Sequence, residues 1–294
     1  MHDVSETTIH RHAQIISRLM KRISITLLAC FFLLSDSAYA GDDKTNLPQW
    51  EAGLAIGAAS LPQYMGSDER YVFAAPLPYF VYRGDRVKMD RGGLRAAIFD
   101  MEQLSLDVSL GAGLPVRNSN RARAGMPTLN FNLQAGPRLN WHVFDDSGST
   151  LKLRLPVRGI LDTSGAFLGW LSEPDIQLRF RPYSDLKIEL TSGLLFASKK
   201  YHATYYDVAP IYATATRPAY QSKAGLHSVS ASAKLVYQYS DTITLFSVAR
   251  YRNLSPGSIR NSPLVKDRNY LSFAAGIAWS LYQSESLSRI SEDD

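Results

Sequence analysis

Hydrophobic and polar positions alternate over most of this chain. In "TLKLRLPVRG" (150–159), Leu151, Leu153, Leu155 and Val157 share one side, while Lys152, Arg154 and Arg158 share the other. Strands place successive side chains on opposite faces, so this period of two predicts a sheet with one apolar and one cationic face. "LSLDVSLGAGL" (104–114) repeats it, setting Leu104, Leu106, Val108 and Leu110 against Ser105, Asp107, Ser109 and Gly111. "LNFNLQAGPRLNWHV" (129–143) does the same, with Arg138 and His142 on its polar side, and "DIQLRFRP" (175–182) puts Arg179 and Arg181 opposite Ile176, Leu178 and Phe180. "VSASAKLVYQY" (229–239) and "YLSFAAGIAWSLY" (270–282) carry the pattern with small residues on the polar side. No segment matches an amphipathic-helix template as well.

Strand length and aromatic placement decide what meets the apolar face. Sandwich strands average about five or six residues, whereas a tilted strand needs about ten to cross a bilayer. The alternating runs here are of the longer kind. Aromatic residues gather at their ends: Tyr79, Phe80 and Tyr82; Trp141 and Phe144; Tyr237 and Tyr239; Trp279 and Tyr282. Rings in that position match the interfacial girdle of a barrel. The fold class expected is therefore all-β, a transmembrane antiparallel β-barrel of the outer membrane.

Tight turns at 82–86, 100–103, 145–149, 183–185 and 239–241 alternate with longer links at about 61–69, 117–127, 162–172, 201–224 and 253–267. That alternation requires an even number of strands. If 86–98 bends at "DRGG" (90–93), the count is twelve; if that pair is too short to span, ten is the alternative.

Composition refines this picture at the N-terminus. From Met20, "MKRISITLLACFFLLSDSAYA" has two cations, an apolar run and Ala38-Tyr39-Ala40, the layout of a cleaved secretory signal. The expected organisation is an upstream extension or mis-assigned start at 1–19, a signal at 20–40, a barrel at 41–282 and a polar tail at 283–294. The single cysteine, Cys30, falls inside the signal, which excludes a disulfide framework, a thiolate metal site or a Cys nucleophile after cleavage. A net charge of +5 without a basic run does not argue for nucleic acid.

Several stretches resemble the MipA/OmpV family of outer-membrane proteins: "LPQYMGSDE" (61–69), "PLPYFVYRGDRVKMDRGGL" (76–94), "LSLDVSLGAGLPV" (104–116), "AGMPTLNFNLQAGPRLNW" (124–141) and "SKAGLHSVSASAKLVYQY" (222–239). The resemblance implies a Gram-negative outer-membrane scaffold for peptidoglycan growth. Its partners would be the outer-membrane lipid, a lytic murein transglycosylase (the family is named for an MltA-interacting protein) and a penicillin-binding synthase. Porin-like and adhesin roles are the alternatives in the same family. It implies no catalytic residue, metal or cofactor. Motif positions here are Gly66, Ser67, Asp68, Arg83, Gly84, Asp85, Arg86, Gly125, Met126 and Pro127. Of these, the turn Arg83, Gly84, Asp85 and Arg86 is the candidate partner-binding segment, although Gly-Asp is also ordinary turn chemistry. The chain departs from the family in adding "QSESLSRISEDD" after Tyr282, where such barrels usually end on an aromatic residue.

With the leucines facing lipid, Arg138, Lys152, Arg154, Arg158, Arg179, Arg181, Lys187 and Lys234 face inward, opposed by Asp107, Asp175 and Glu189. Such a wall predicts either an anion-favouring lumen or a salt-bridged interior. A lipid-cleaving barrel would need His beside Ser. Only His142, His202 and His227 follow the signal. Regular alternation puts His227 and Ser228 on opposite faces, so no enzyme is expected.

Overall fold

The computed structural model describes residues 48–83, 87–90, 93–101, 103–146 and 148–286. The signal assigned to 20–40 and the end of the tail lie outside the described residues. Thirteen strands follow one another: β1 (Trp50–Pro62), β2 (Arg70–Arg83), β3 (Val87–Asp90), β4 (Gly93–Asp100), β5 (Leu104–Gly113), β6 (Asn132–Asp146), β7 (Ser149–Asp162), β8 (Phe167–Ser172), β9 (Asp175–Tyr183), β10 (Leu186–Ala197), β11 (Gly225–Gln238), β12 (Ile243–Asn253) and β13 (Asn269–Gln283). All pair antiparallel, and β1–β13 together with β10–β11 join the strands into a ring, in which β2 meets β3 only through Tyr82–Met89 and Arg83–Lys88 among the described residues. Among the described residues no helix is long and apolar enough to cross a membrane, so any crossing is made by strands.

The expectation of twelve strands, or ten, meets thirteen. The link expected at 162–172 is mostly strand: a turn at 163–166 leads into β8. β8 and β9 run in the same direction. Both pair with β7, β8 opposite Val157 to Leu161 and β9 opposite Ser149 to Arg154, and both pair with β10. They occupy one position in the ring, broken at Glu173 and Pro174. Pro has no N–H for the ladder, which accounts for the interruption. β3 and β4 form the short hairpin around 91–92.

Side chains divide as the alternation requires. Leu139, Leu155, Val157, Leu161, Ile176, Leu190, Leu194, Leu235 and Ile277 are exposed on the outer wall. At the short-turn end they are bordered by Trp50, Phe80, Trp141, Phe144, Tyr183, Tyr237, Trp279 and Tyr282, and at the other end by Phe167, Trp170, Tyr251 and Phe273. An apolar band between two aromatic girdles is the outer surface that a bilayer solvates. Tyr79, expected in the girdle, instead points inward and packs with Ala55, Val81 and Ala278. The barrel also extends one residue past the expected end at Tyr282, and Ser284 continues the pairing by donating its N–H to the Trp50 carbonyl (2.9 Å).

The largest buried apolar cluster is not in the membrane band. It lies at the long-loop end, where Tyr64, Val116, Tyr201, Tyr205, Tyr206, Leu254 and Ile259 from the loops meet Ile160, Leu171, Leu195 and Tyr270 from strand ends.

Candidate functional site

Inside the barrel, cations meet carboxylates by register. Arg138 stands opposite Asp107 across the β5–β6 ladder and binds it through two bonds, 2.9 and 2.7 Å. Arg154 stands opposite Asp175 across β7–β9 and binds it at 2.7 and 3.0 Å. Arg179 faces Glu189 across β9–β10 at 3.6 Å. Lys234 lies opposite Glu189 in the β10–β11 register. Lys187 is buried, Lys152 and Arg181 are half-buried, and all three lie on the same inward-facing rows. Glu173, at the β8–β9 break, was not among the residues the alternation singled out. It accepts from Arg252 at 2.6 Å and lies 3.7 Å from Arg158. Glu189 is buried and Asp107, Asp175 and Glu173 are largely so, each beside its arginine, an arrangement that offsets the cost of desolvating either charge alone.

The turn Arg83, Gly84, Asp85 and Arg86 is different. Residues 84–86 lie outside the described residues, and of Arg83 only the backbone is placed, at the end of β2 opposite Lys88.

Long loops interlock over the other end. The one α-helix among the described residues, α1 (Lys199–Tyr206), is capped by Ser198, whose hydroxyl accepts from the Tyr201 N–H. Tyr201, His202, Tyr205 and Tyr206 share its buried face. Their i, i+4 spacing behind a serine is a helix signal that the strand pattern overshadowed. The helix seats on β8 at Gly169, whose φ is +112° and where a Cβ would lie 2.3 Å from the Ser198 hydroxyl. Arg123 donates to the Tyr205 carbonyl (2.8 Å), Tyr64 to the Leu264 carbonyl (2.7 Å), and Ser262 to the Tyr206 carbonyl (2.7 Å). Gly66, at φ +94°, accepts from the Lys266 and Asp267 N–H groups (2.8 and 3.0 Å), and the buried Ser67 hydroxyl accepts from Asn120 at 3.3 Å. The 66–67 motif therefore builds this cap.

Burial sets the titration of the cap. It pushes the Tyr205 hydroxyl up to about 12 and those of Tyr201 and Tyr206 well above their usual range. Burial also lowers His202, against the opposing pull of its bond to the Lys223 carbonyl and of Asp207.

The separation expected for His227 and Ser228 does not hold. The β10–β11 register slips at His227, leaving it as an extra residue. A bulge of this kind re-aims a side chain. His227 Nδ1 lies 2.8 Å from Ser228 Oγ, and its Nε2 lies 2.8 Å from the Tyr206 hydroxyl. Tyr206 gives its proton to the Met65 carbonyl (2.8 Å), which assigns the His227 proton to Nε2 and makes Nδ1 the acceptor from Ser228. Arg252 donates to the same Ser228 oxygen at 2.9 Å. His227 and Ser228 are completely buried, and the chain they make ties β11 to the cap rather than presenting a nucleophile. His142 lies near the short-turn end of β6. No group of three potential metal ligands occurs among the described residues.

A cavity of about 260 Å³ lies between the inward strand ends and α1, with Arg158, Arg250, Arg252, Glu173, Tyr201 and Tyr270 in its wall.

The family model for "MltA-interacting protein MipA" matches residues 54–281, from β1 into β13. The chain belongs to the MipA family. The match spans the stretches from which the MipA/OmpV resemblance was read. No curated protein matches the chain. Similar solved structures include the NanC porin, 12% identical with a TM-score of 0.36, covering 78% of this chain and 100% of that one. A Pseudomonas aeruginosa FadL homologue is 11% identical with a TM-score of 0.37, covering 80% and 69%. A bacterial polysaccharide outer membrane secretin is 9% identical with a TM-score of 0.39, covering 79% and 99%. At these scores none of the three bears on what this MipA-family barrel does.

Proposed function

We propose that this chain is an outer-membrane anchor and scaffold. It holds a lytic murein transglycosylase, and beside it a penicillin-binding synthase, at the periplasmic end of the barrel. The observation that carries the reading is the interior. Arg138, Arg154, Arg179 and Arg252 are each matched to a carboxylate, and the long loops interlock at one end. An interior of that kind favours a rigid anchor over a water-filled channel. The family's description supplies the partner class. The short-turn end, with the Arg83 to Arg86 turn, is the surface such partners would meet.

The test is affinity capture from membranes using the full chain and an Arg83→Ser, Arg86→Ser variant. Recovery of a murein transglycosylase with the native chain, and its loss with a variant that keeps its heat-shifted gel mobility, is the result expected. Steady single-channel conductance in a planar bilayer, without capture of murein enzymes, would overturn the scaffold in favour of a small-solute channel. The cavity at the loop end is the observation that favours this second reading.

A further inference from the structure

We propose that the cavity beneath the loop cap is a binding site for a monosaccharide-sized solute carrying one carboxylate and several hydroxyls, a sugar acid. The inference goes beyond the scaffold reading and does not depend on it.

The charge pattern in this wall differs from that of three other lumen arginines. Elsewhere an arginine faces its own acid across a ladder: Arg138 with Asp107, Arg154 with Asp175, Arg179 with Glu189. Among the described residues that line this cavity, Glu173 is the one carboxylate, and Arg158 and Arg252 both turn toward it. Arg252 takes Glu173 at 2.6 Å and also holds Ser228. Arg158 is left with a 3.7 Å approach to Glu173, too long for a hydrogen bond, and a 3.4 Å bond to the Leu110 carbonyl. Its Nε is buried with no partner. A desolvated guanidinium with idle donors is costly, and the fork geometry of those donors matches a carboxylate.

The remaining wall selects the body of the ligand. Tyr201 and Tyr270 are buried against the cavity, and among the described residues no group hydrogen-bonds either hydroxyl. Each supplies an apolar ring beside a free donor and acceptor, which suits a hydroxylated ring better than a plain hydrocarbon. The volume of about 260 Å³ falls just below the usual small-ligand range, so one sugar unit fits and a chain of them does not.

The test uses the full-length barrel purified in detergent, with glucuronate as probe, glucose as its uncharged counterpart and inorganic phosphate as a bare anion, followed by titration calorimetry. Glucuronate should bind saturably, and glucose and phosphate each at least about tenfold more weakly, the scale of losing a hydrogen bond to a charged group. Arg158→Gln should weaken glucuronate by about tenfold or more, Arg158→Lys should recover part of it, and Arg260→Gln, exposed in a loop and outside the cavity wall, should change nothing. Tyr201→Phe removes only a hydroxyl and keeps the test open should Arg158→Gln fail to fold; it should weaken glucuronate severalfold. Absence of saturable glucuronate binding to a heat-shifted native barrel overturns the proposal. So does equal binding of phosphate or glucose, or unchanged affinity in both Arg158→Gln and Tyr201→Phe.

Discussion

Replacing Arg154 by Leu tests whether lumen pairs such as Arg154–Asp175 support the barrel. Alternation alone makes the change look harmless, because Arg154 faces inward and a leucine fills similar space. The structure points the other way. Arg154 and Asp175 have side chains only 8% and 10% exposed and are joined by two bonds at 2.7 and 3.0 Å. Removing the guanidinium leaves the Asp175 carboxylate buried without its main partner, a loss of about 3–5 kcal/mol for a desolvated pair. For a chain of this size that corresponds to a fall in melting temperature of about 6–20 °C. Substituting both partners, Arg154→Leu with Asp175→Leu, removes the orphaned charge and should regain most of the loss. The assay is heat unfolding in detergent, read by tryptophan fluorescence and by the shift between folded and unfolded gel bands. If the single variant melts within about 2 °C of the native chain, or the double variant melts no higher than the single, the lumen charges are well solvated and the pairing account is wrong.

Three other changes probe the remaining layers. Leu155→Arg places a cation on the outer wall, where Leu155 is 47% exposed, and should cost about 2–4 kcal/mol and reduce insertion into vesicles; unimpaired insertion would mean that this face does not meet lipid. Gly169→Ala meets both the left-handed φ of +112° and the Ser198 hydroxyl, so it should unseat α1 and free the backbone at the already exposed Lys199 and Lys200 for trypsin while the barrel keeps its gel shift; unchanged cleavage would refute the seating. Cap protection should also depend on pH. His202 is buried, its Nδ1 donates to the Lys223 carbonyl, its Nε2 has no partner, and its pKa in the fold lies below the ordinary 6.5. The unfolded loop therefore binds the proton more readily, so the stability His202 contributes is whole above about pH 6.5 and falls as pH drops toward its folded pKa. Trypsin-like cleavage at 199–200 should rise between pH about 7.5 and about 5, and a flat profile would remove His202 from this role.

Period, strand length and aromatic ends were enough to read the barrel, its outward leucines and its inward arginines. These depend only on the strict alternation of side chains along a strand and on the thickness of a bilayer. The acids that face Arg138, Arg154 and Arg179 were also legible, as Asp107, Asp175 and Glu189, because they lie on polar rows. Which acid meets which arginine was not, since cross-strand register is set by turns and bulges that alternation does not encode. The same limit hid the extra residue at His227, which turns two neighbouring side chains to one face, and the break at Glu173 and Pro174, which brings a carboxylate to Arg252. The cap was least visible. Tyr64, Arg123, Tyr205 and Tyr206 come from loops far apart in the chain, and only closure of the ring brings those loops over one mouth, where their tyrosines find apolar neighbours and their buried polar groups find partners.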